Sequence, residues 1–169
     1  MTRKSQAPSP SKFLIVNGWT LLAHPLFLDQ ISKLRSGIAE DKRQFGRDYT
    51  NKNNAKLLKL ITDQAFKKIP TNPMDPIYRQ GKTLGDGNTN WFRAKFANGR
   101  FRLFFRFDST SKTIIYAWVN DEETLRSYGS KTDAYAVFKG MLANGHPPDS
   151  WRELLLQCGD GSALANIGP

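Results

Sequence analysis

The chain has 169 residues, 39% of them hydrophobic, and 25 Lys and Arg against 15 Asp and Glu give a net charge of +10. That is the size and composition of one globular domain with a real core, and the charge selects a polyanionic partner, nucleic acid first and an acidic protein second. One cysteine, Cys158, excludes an intrachain disulfide, one Cys with two His is too few for a structural zinc site, and no apolar run reaches the about 20 residues of a membrane span, so a cytoplasmic protein with no membrane contact and no cofactor is expected.

Residues 1–11, basic and rich in Pro and Ser, predict a disordered tail, and residues 12–158 a single domain. "FLIVNGWTLLA" reads as a short strand or extended entry segment. His24-Pro25 opens a helix with Pro at its first position; Leu26, Phe27, Ile31, Leu34 and Ile38 keep helical spacing to about Ala39. A polar connector leads to a second helix over about 54–69, with Leu57, Leu58, Ile61, Ala65 and Ile69 on its buried stripe and lysines around it. Pro70, Pro73 and Pro76 end it. The loop "TNPMDPIYRQGKTLGDGNTN" carries Arg79 and Lys82, and a polar loop of that length in a compact domain is expected to be functional.

A hairpin over 91–107, a turn "DSTSK" and a strand over 113–119 follow. "NDEETLRSYG" predicts a short helix or turn. Thr132 is read as the cap of a helix through Ala134, Val137, Phe138, Met141 and Leu142, closed at Asn144-Gly145. "SWRE" is a capping box that opens a last helix to about Gln157, and residues 159–169 predict a flexible tail. The order gives an α+β domain: two N-terminal helices packed on an antiparallel sheet, with further helices at the C-terminal end.

The hairpin "WFRAKFANGRFRLFFRF" carries the functional signal. Asn98-Gly99 between alternating hydrophobics is a strong turn signal, because both central residues need positive φ. A two-residue loop there pairs Ala97 with Arg100, Phe96 with Phe101, Lys95 with Arg102, Arg93 with Phe104 and Trp91 with Arg106. One face is then Phe92, Ala94, Phe96, Phe101, Leu103, Phe105 and Phe107, a core face. The other holds Arg93, Lys95, Arg100, Arg102 and Arg106 with Trp91 and Phe104, and no acid. Like charges directly opposite are unfavourable, so the pattern points to an anion-binding face. Cations for phosphates with aromatic rings for unpaired bases favour single-stranded nucleic acid. Arg126 and Lys131, in the stretch that follows the strands, are grouped with these RNA-binding cations.

The strand face lacks the clustered carboxylates that a metal-dependent nuclease needs, and Asp121, Glu122 and Glu123 are adjacent. "GKTLGDGN" lacks the spacing of a phosphate loop. Cleavage through the RNA's own 2′-OH needs neither metal nor protein nucleophile, only alignment, stabilisation of charge at phosphorus and movement of two protons. Lys95, Arg102 and Arg106 supply charge. His146, Tyr128, Tyr135, Lys95 and His24 are the candidates for the protons, with His146 first because it titrates near neutral pH. His24 is read chiefly as a helix N-terminal residue.

"GKTLG…WFRAKFANGRFRLFFRF…IIYAWVNDEETLR" resembles the RelE-like toxin superfamily. "VNGWTLLAHP", "RQGKTLG", "NDEETLRSYGSKTDAYAVFKGML" and "GHPPDSW" resemble its YhaV branch more closely, over about residues 16–155. The resemblance implies a RelE-like fold and a growth-inhibiting endoribonuclease that cleaves messenger RNA, often on the ribosome. It implies an antitoxin partner of the AbrB-like, swapped-hairpin type. It maps the active site to the basic sheet face, Arg93, Lys95, Arg100, Arg102 and Arg106. The tyrosine that RelE-like enzymes use near the C-terminal end has no counterpart in the last helix or tail, which leaves the proton-transfer role to His146, Tyr128 and Tyr135. The same basic face would also suit a non-catalytic RNA- or ribosome-binding module.

Overall fold

The computed structural model describes residues 13–159 and 161–167. Residues 1–11, expected to form a disordered tail, lie outside them. β1 (Leu14–Val16) and β2 (Trp19–Ala23) form a short hairpin around Asn17-Gly18, both at positive φ. α1 (Pro25–Phe45) follows at once. His24 caps it through Nδ1, which accepts the Leu26 N–H at 3.1 Å, and Pro25 stands where a missing N–H costs nothing. α1 runs to Phe45, past the expected end at Ala39. Its last turns have no apolar stripe to read; a Glu40–Arg43 ion pair and Lys42 and Arg43 near the final carbonyls support them, and Gly46 at φ 58° ends the helix.

A 3₁₀ turn over Gly46–Asn51 leads to α2 (Asn53–Asp63), which buries Leu57 and Ile61. The chain then widens into a π-helical turn, Gln64–Lys68, before the short α3 (Ile69–Thr71). Pro70 accounts for the widening: it has no N–H and its ring crowds the carbonyl four residues back, and the Ile69 N–H bonds to the carbonyl of Gln64 instead.

The remaining strands are β3 (Phe92–Phe96), β4 (Phe101–Asp108) and β5 (Thr113–Val119), and the sheet order is β1-β2-β5-β4-β3. The expectation of an antiparallel sheet is corrected at one place: β2 pairs with β5 in parallel, so the sheet is mixed. The hairpin register agrees with the sequence, with Phe96 opposite Phe101, Lys95 opposite Arg102 and Arg93 opposite Phe104. The loop differs. Ala97 joins Asn98 and Gly99 at positive φ, and the ladder closes at Phe96–Phe101 around a four-residue turn. The expected Trp91–Arg106 pair lies beyond the β3–β4 ladder, which ends at Phe92–Phe105.

Both faces of the sheet are covered. On one, Leu21, Phe27, Ile31, Ile61, Phe105 and Tyr116 tie α1 and α2 to the strands. On the other, α4 (Ala134–Ala143) and α5 (Trp151–Gln157) bring Phe138, Leu142 and Leu154 against Leu22, Trp91, Phe104, Ile115 and Trp118. The uninterrupted apolar run of β5, "TIIYAWV", is the signature of a strand buried on both sides. The stretch 120–133 is a set of turns. Asp121 is held there by Gln30, Lys33 and Thr124; burial pushes its carboxyl up, but these donors outweigh burial and bring it to about 2.

Asp133, one residue past the expected Thr132, caps α4 by accepting the Tyr135 N–H. Ser150 caps α5 as the "SWRE" motif predicts, accepting from the Glu153 N–H. The tail expected over 159–169 holds a short α6 (Ser162–Ala165) that buries Leu164 in the first core. Cys158 is buried; its Sγ–H donates to the Leu154 carbonyl and burial pushes the thiol up to about 12. No helix among the described residues is long and apolar enough to cross a membrane.

Candidate active site

The register of the hairpin decides which cations meet. Arg102 stands opposite Lys95 and Arg93 opposite Phe104, so Arg93 and Arg102 are diagonal neighbours on one face. α4 lays its first turn over that face and delivers Tyr135 between them. The Tyr135 hydroxyl oxygen accepts from Arg93 Nε at 2.8 Å and from Arg102 Nε at 3.0 Å. Each guanidinium is pinned elsewhere as well. Arg93 Nη1 donates to the Ile77 carbonyl at 2.8 Å, and Arg102 Nη1 to the carbonyls of Gly99 at 2.6 Å and Phe101 at 3.1 Å. With both lone pairs of the phenol oxygen used by donors, its own O–H is left to donate.

A third guanidinium completes the group. Arg126 lies over the Tyr135 ring, 4.7 Å from its centroid, and over the Tyr128 ring at 3.7 Å. Asp133 pairs with Arg126 and also accepts the Ser127 N–H at 2.7 Å and the Tyr135 N–H at 3.1 Å. Burial raises the Asp133 carboxyl, but the Ser127 N–H and Arg126 outweigh it and hold the group below the ordinary carboxylate value. Asn120 locks the surrounding loop to the hairpin: its Oδ1 accepts the Arg102 N–H at 2.6 Å and its Nδ2 donates to the carbonyls of Arg100 and Thr124.

This group opens on a cleft lined by Thr83, Arg126, Ser130, Lys131, Tyr135 and Lys139. Three cations, two hydroxyls and the phenol converge there, and the carboxylate of Asp133 is already committed to Arg126. Arg126 Nε is a buried side-chain donor with no partner among the described residues, in the wall of the cleft; an orphan of this kind in a native structure calls for an explanation such as a function. The arrangement can bind a phosphodiester, stabilise added negative charge on it and offer it a proton.

The family described as "toxin with endonuclease activity, of toxin-antitoxin system" matches residues 21–159. The chain belongs to the YhaV toxin family. It is 46% identical over 140 residues, 82% of this chain and 91% of the relative, to the ribonuclease toxin YhaV of Escherichia coli K12, and equally so to the YhaV toxins of strains CFT073 and O157:H7. No solved structure gives a significant match. The YhaV match runs from β2 to the end of α5, so it contains every residue of the Tyr135 group.

Other sequence-predicted residues of this YhaV-family chain fall elsewhere. Trp91 and Phe104 are 0% exposed. Phe104 stacks on Phe138 at 4.3 Å, and Trp91 packs edge-on against Phe138 with its Nε1–H on the Asp149 carboxylate. The expectation of two open base-stacking rings is therefore corrected: α4 and α5 cover that side of the sheet and use both rings as core. Arg106, expected beside Arg102 on a phosphate, lies further along β4 between the rings of Trp91 and Trp151, with Nη1 donating to the Asp149 carbonyl at 2.5 Å. Burial lowers its pKa, opposed by Asp149.

His146 is exposed beyond the far end of α4, with its ring 5.7 Å from that of His24, and does not reach the cleft. The buried His24 accepts at Nδ1 from Leu26 N–H, so Nε2 carries the proton given to Gln157 Oε1 at 2.6 Å. Burial depresses its pKa, with Gln157 opposing and His146 assisting. Lys95 is exposed in a neighbouring recess with Lys68, Ile77 and Tyr78. Arg79, Lys82 and Arg100 are exposed around the hairpin, Lys82 in a loose pair with Asp86. Lys139 and Asp133 escape the sequence reading. Lys139 could have been found as the residue one helical turn after Tyr135, and Asp133 as the acid just before the helix.

Proposed function

We propose that this chain is the toxin of a toxin–antitoxin pair and an endoribonuclease whose active site is the Tyr135 cleft. The observation that carries this reading is the buried double hydrogen bond of Arg93 and Arg102 to the hydroxyl of Tyr135, a residue that itself lines the cation-rich cleft. Arg126, Lys131 and Lys139 bind the scissile phosphate and its neighbours. The 2′-oxygen forms a bond to phosphorus, its proton leaves to solvent through the open cleft, and the bond from phosphorus to the 5′-oxygen breaks. Tyr135 donates its O–H proton to that departing oxygen, and the two guanidiniums stabilise the charge left on the phenol. The products are a cyclic phosphate and a 5′-OH. Arg93 and Arg102 are positioning residues here, since they act through Tyr135. No metal is needed, because the arginines and lysines supply the charge.

The substrate class we infer is messenger RNA, read on or off the ribosome in the cytoplasm, and the partner is an AbrB-like swapped-hairpin antitoxin. The family's toxin–antitoxin description supports the partner, and α1 and α2 packed together on one sheet face support a RelE-like arrangement. Tyr135→Phe tests the reading. It keeps the ring and removes the O–H, and should lower RNA cleavage by about 10²–10⁴-fold with EDTA present, while circular dichroism and RNA binding persist. Cleavage at the wild-type rate would overturn Tyr135 as the acid. No cleavage by the wild-type chain, with or without ribosomes, would leave a non-catalytic RNA-binding module.

A further inference from the structure

We propose that Tyr128 is a nucleobase platform: the open face of its ring stacks a base of single-stranded RNA next to the scissile phosphate. The inference rests on the reading of the Tyr135 cleft as the RNA site, and it names a contact that reading does not contain. Tyr128 is 85% exposed, the most among the large hydrophobic side chains of the described residues. A tyrosine so placed gains almost nothing from burial. One ring face is nevertheless occupied. The Arg126 guanidinium lies 3.7 Å from its centroid, and the same guanidinium lies 4.7 Å from the centroid of the Tyr135 ring. Arg126 thus links the ring of the proposed acid to an exposed aromatic ring.

The platform is fixed in place. The Ser127 N–H donates to Asp133 Oδ1, the Ser130 N–H to the Ser127 carbonyl and the Asp133 N–H to the Ser130 carbonyl. Gly129, at φ 76°, makes the reversal that presents Tyr128 outward. Rigid aromatic surface next to cations is what a flexible single strand needs, because each base has a π-face and each linkage a charge. Ser130 and Lys131, two and three residues after Tyr128, line the cleft and are the donors this proposal assigns to the phosphate of the stacked base. The ring, not the hydroxyl, is the part this proposal uses: Arg126 lies over the Tyr128 ring.

The test uses the full chain carrying Tyr135→Phe, so that RNA is bound and not consumed, and a fluorescein-labelled short single-stranded RNA of mixed sequence. Tyr128→Ala should weaken binding by about 5- to 160-fold, the range of one stacked base. Tyr128→Phe and Tyr128→Trp should restore it, and the Trp emission should be quenched on RNA addition. A single abasic position moved along the RNA should abolish the difference between Tyr128 and Tyr128→Ala at one place only. In the otherwise wild-type enzyme, Tyr128→Ala should raise KM and leave kcat within a few-fold. Equal affinity for Tyr128 and Tyr128→Ala, or no position-specific abasic effect, overturns the proposal. So does loss of antitoxin neutralisation with RNA binding intact, which would make Tyr128 a protein contact. A fully active Tyr135→Phe enzyme with the abasic signature present would sink the acid assignment and leave the platform standing.

Discussion

Arg102 and Tyr135 are joined by a 3.0 Å hydrogen bond from the guanidinium Nε to the phenol oxygen, across 33 residues of sequence. The bond ties the hairpin to the helix that covers it, and it ties charge to the proposed proton donor. Arg102→Ala should lower cleavage by about 10²-fold through misplacement of Tyr135, and should destabilise the fold by about 2–4 kcal/mol, because the carbonyls of Gly99 and Phe101 lose a buried donor. A double-mutant cycle separates the two effects. If Arg102 acts through Tyr135, Arg102→Ala adds little to the activity loss of Tyr135→Phe. Fully additive losses in kcat would show that Arg102 touches substrate itself.

Asp133 does two jobs with one carboxylate, capping α4 and holding Arg126. Its pKa is held below the unfolded value, so its contribution is fully present above about pH 4 and is lost as pH falls through the lowered folded value. Asp133→Asn keeps a cap but drops the charge. It should cost about 1–2 kcal/mol at pH 7 and nearly nothing at the acid end of the window. Thermal unfolding of both proteins across that window checks the sign; a pH-independent difference would mean that the ion pair contributes nothing.

The hairpin register was legible because its period of two and its Asn-Gly turn are local signals. What lay over its cationic face was not. Arg93, Arg102 and Arg106 read as an open anion-binding face, whereas all three are buried, as arginine seldom is without a partner. The partners are the Tyr135 hydroxyl, Asp149 and backbone carbonyls such as those of Ile77 and Gly99, distant in sequence, and no local pattern announces them. One signal was available: β5 is apolar at every position but Thr113, which implies cover on both faces and so a buried home for Phe104. The parallel pairing of β2 with β5 was out of reach for a different reason. Strand order is set by packing between segments far apart, not by either strand's own sequence.

His24 gives the molecule a pH dependence away from the cleft. Its Nδ1 faces the Leu26 N–H and its Nε2 faces Gln157, with His146 and Asp29 nearby. Protonation would set a second donor against Leu26 N–H. With a folded pKa below the ordinary 6.5, stability is complete above about pH 6.5 and falls as the pH drops toward the folded value, where the unfolded chain binds the proton first. His24→Asn retains a cap and cannot titrate. Urea unfolding should show the wild-type protein losing stability between pH 7.5 and pH 5 and the variant losing less; parallel losses would place the titration elsewhere.

Lys139 offers the sharpest check on where RNA lies. It stands one helical turn after Tyr135, on the cleft wall against Gly85, where an added Cβ would come 3.6 Å from its Cε. Lys56 is a control of equal charge on α2, on the opposite side of the sheet, in the groove with Lys42 and Lys59. If phosphate occupies the Tyr135 cleft, Lys139→Ala should weaken binding to all single-stranded RNA sequences alike. It should also reduce the slope of log affinity against log salt by about 0.7, the value for one phosphate contact on a single strand. Lys56→Ala should leave that slope unchanged. Because Lys139 binds and Tyr135 transfers a proton, Lys139→Ala should act mainly on KM and Tyr135→Phe on kcat. Equal slopes for Lys139→Ala and the wild-type protein, with a reduced slope for Lys56→Ala, would move the RNA to the helical face and take the cleft out of the reaction.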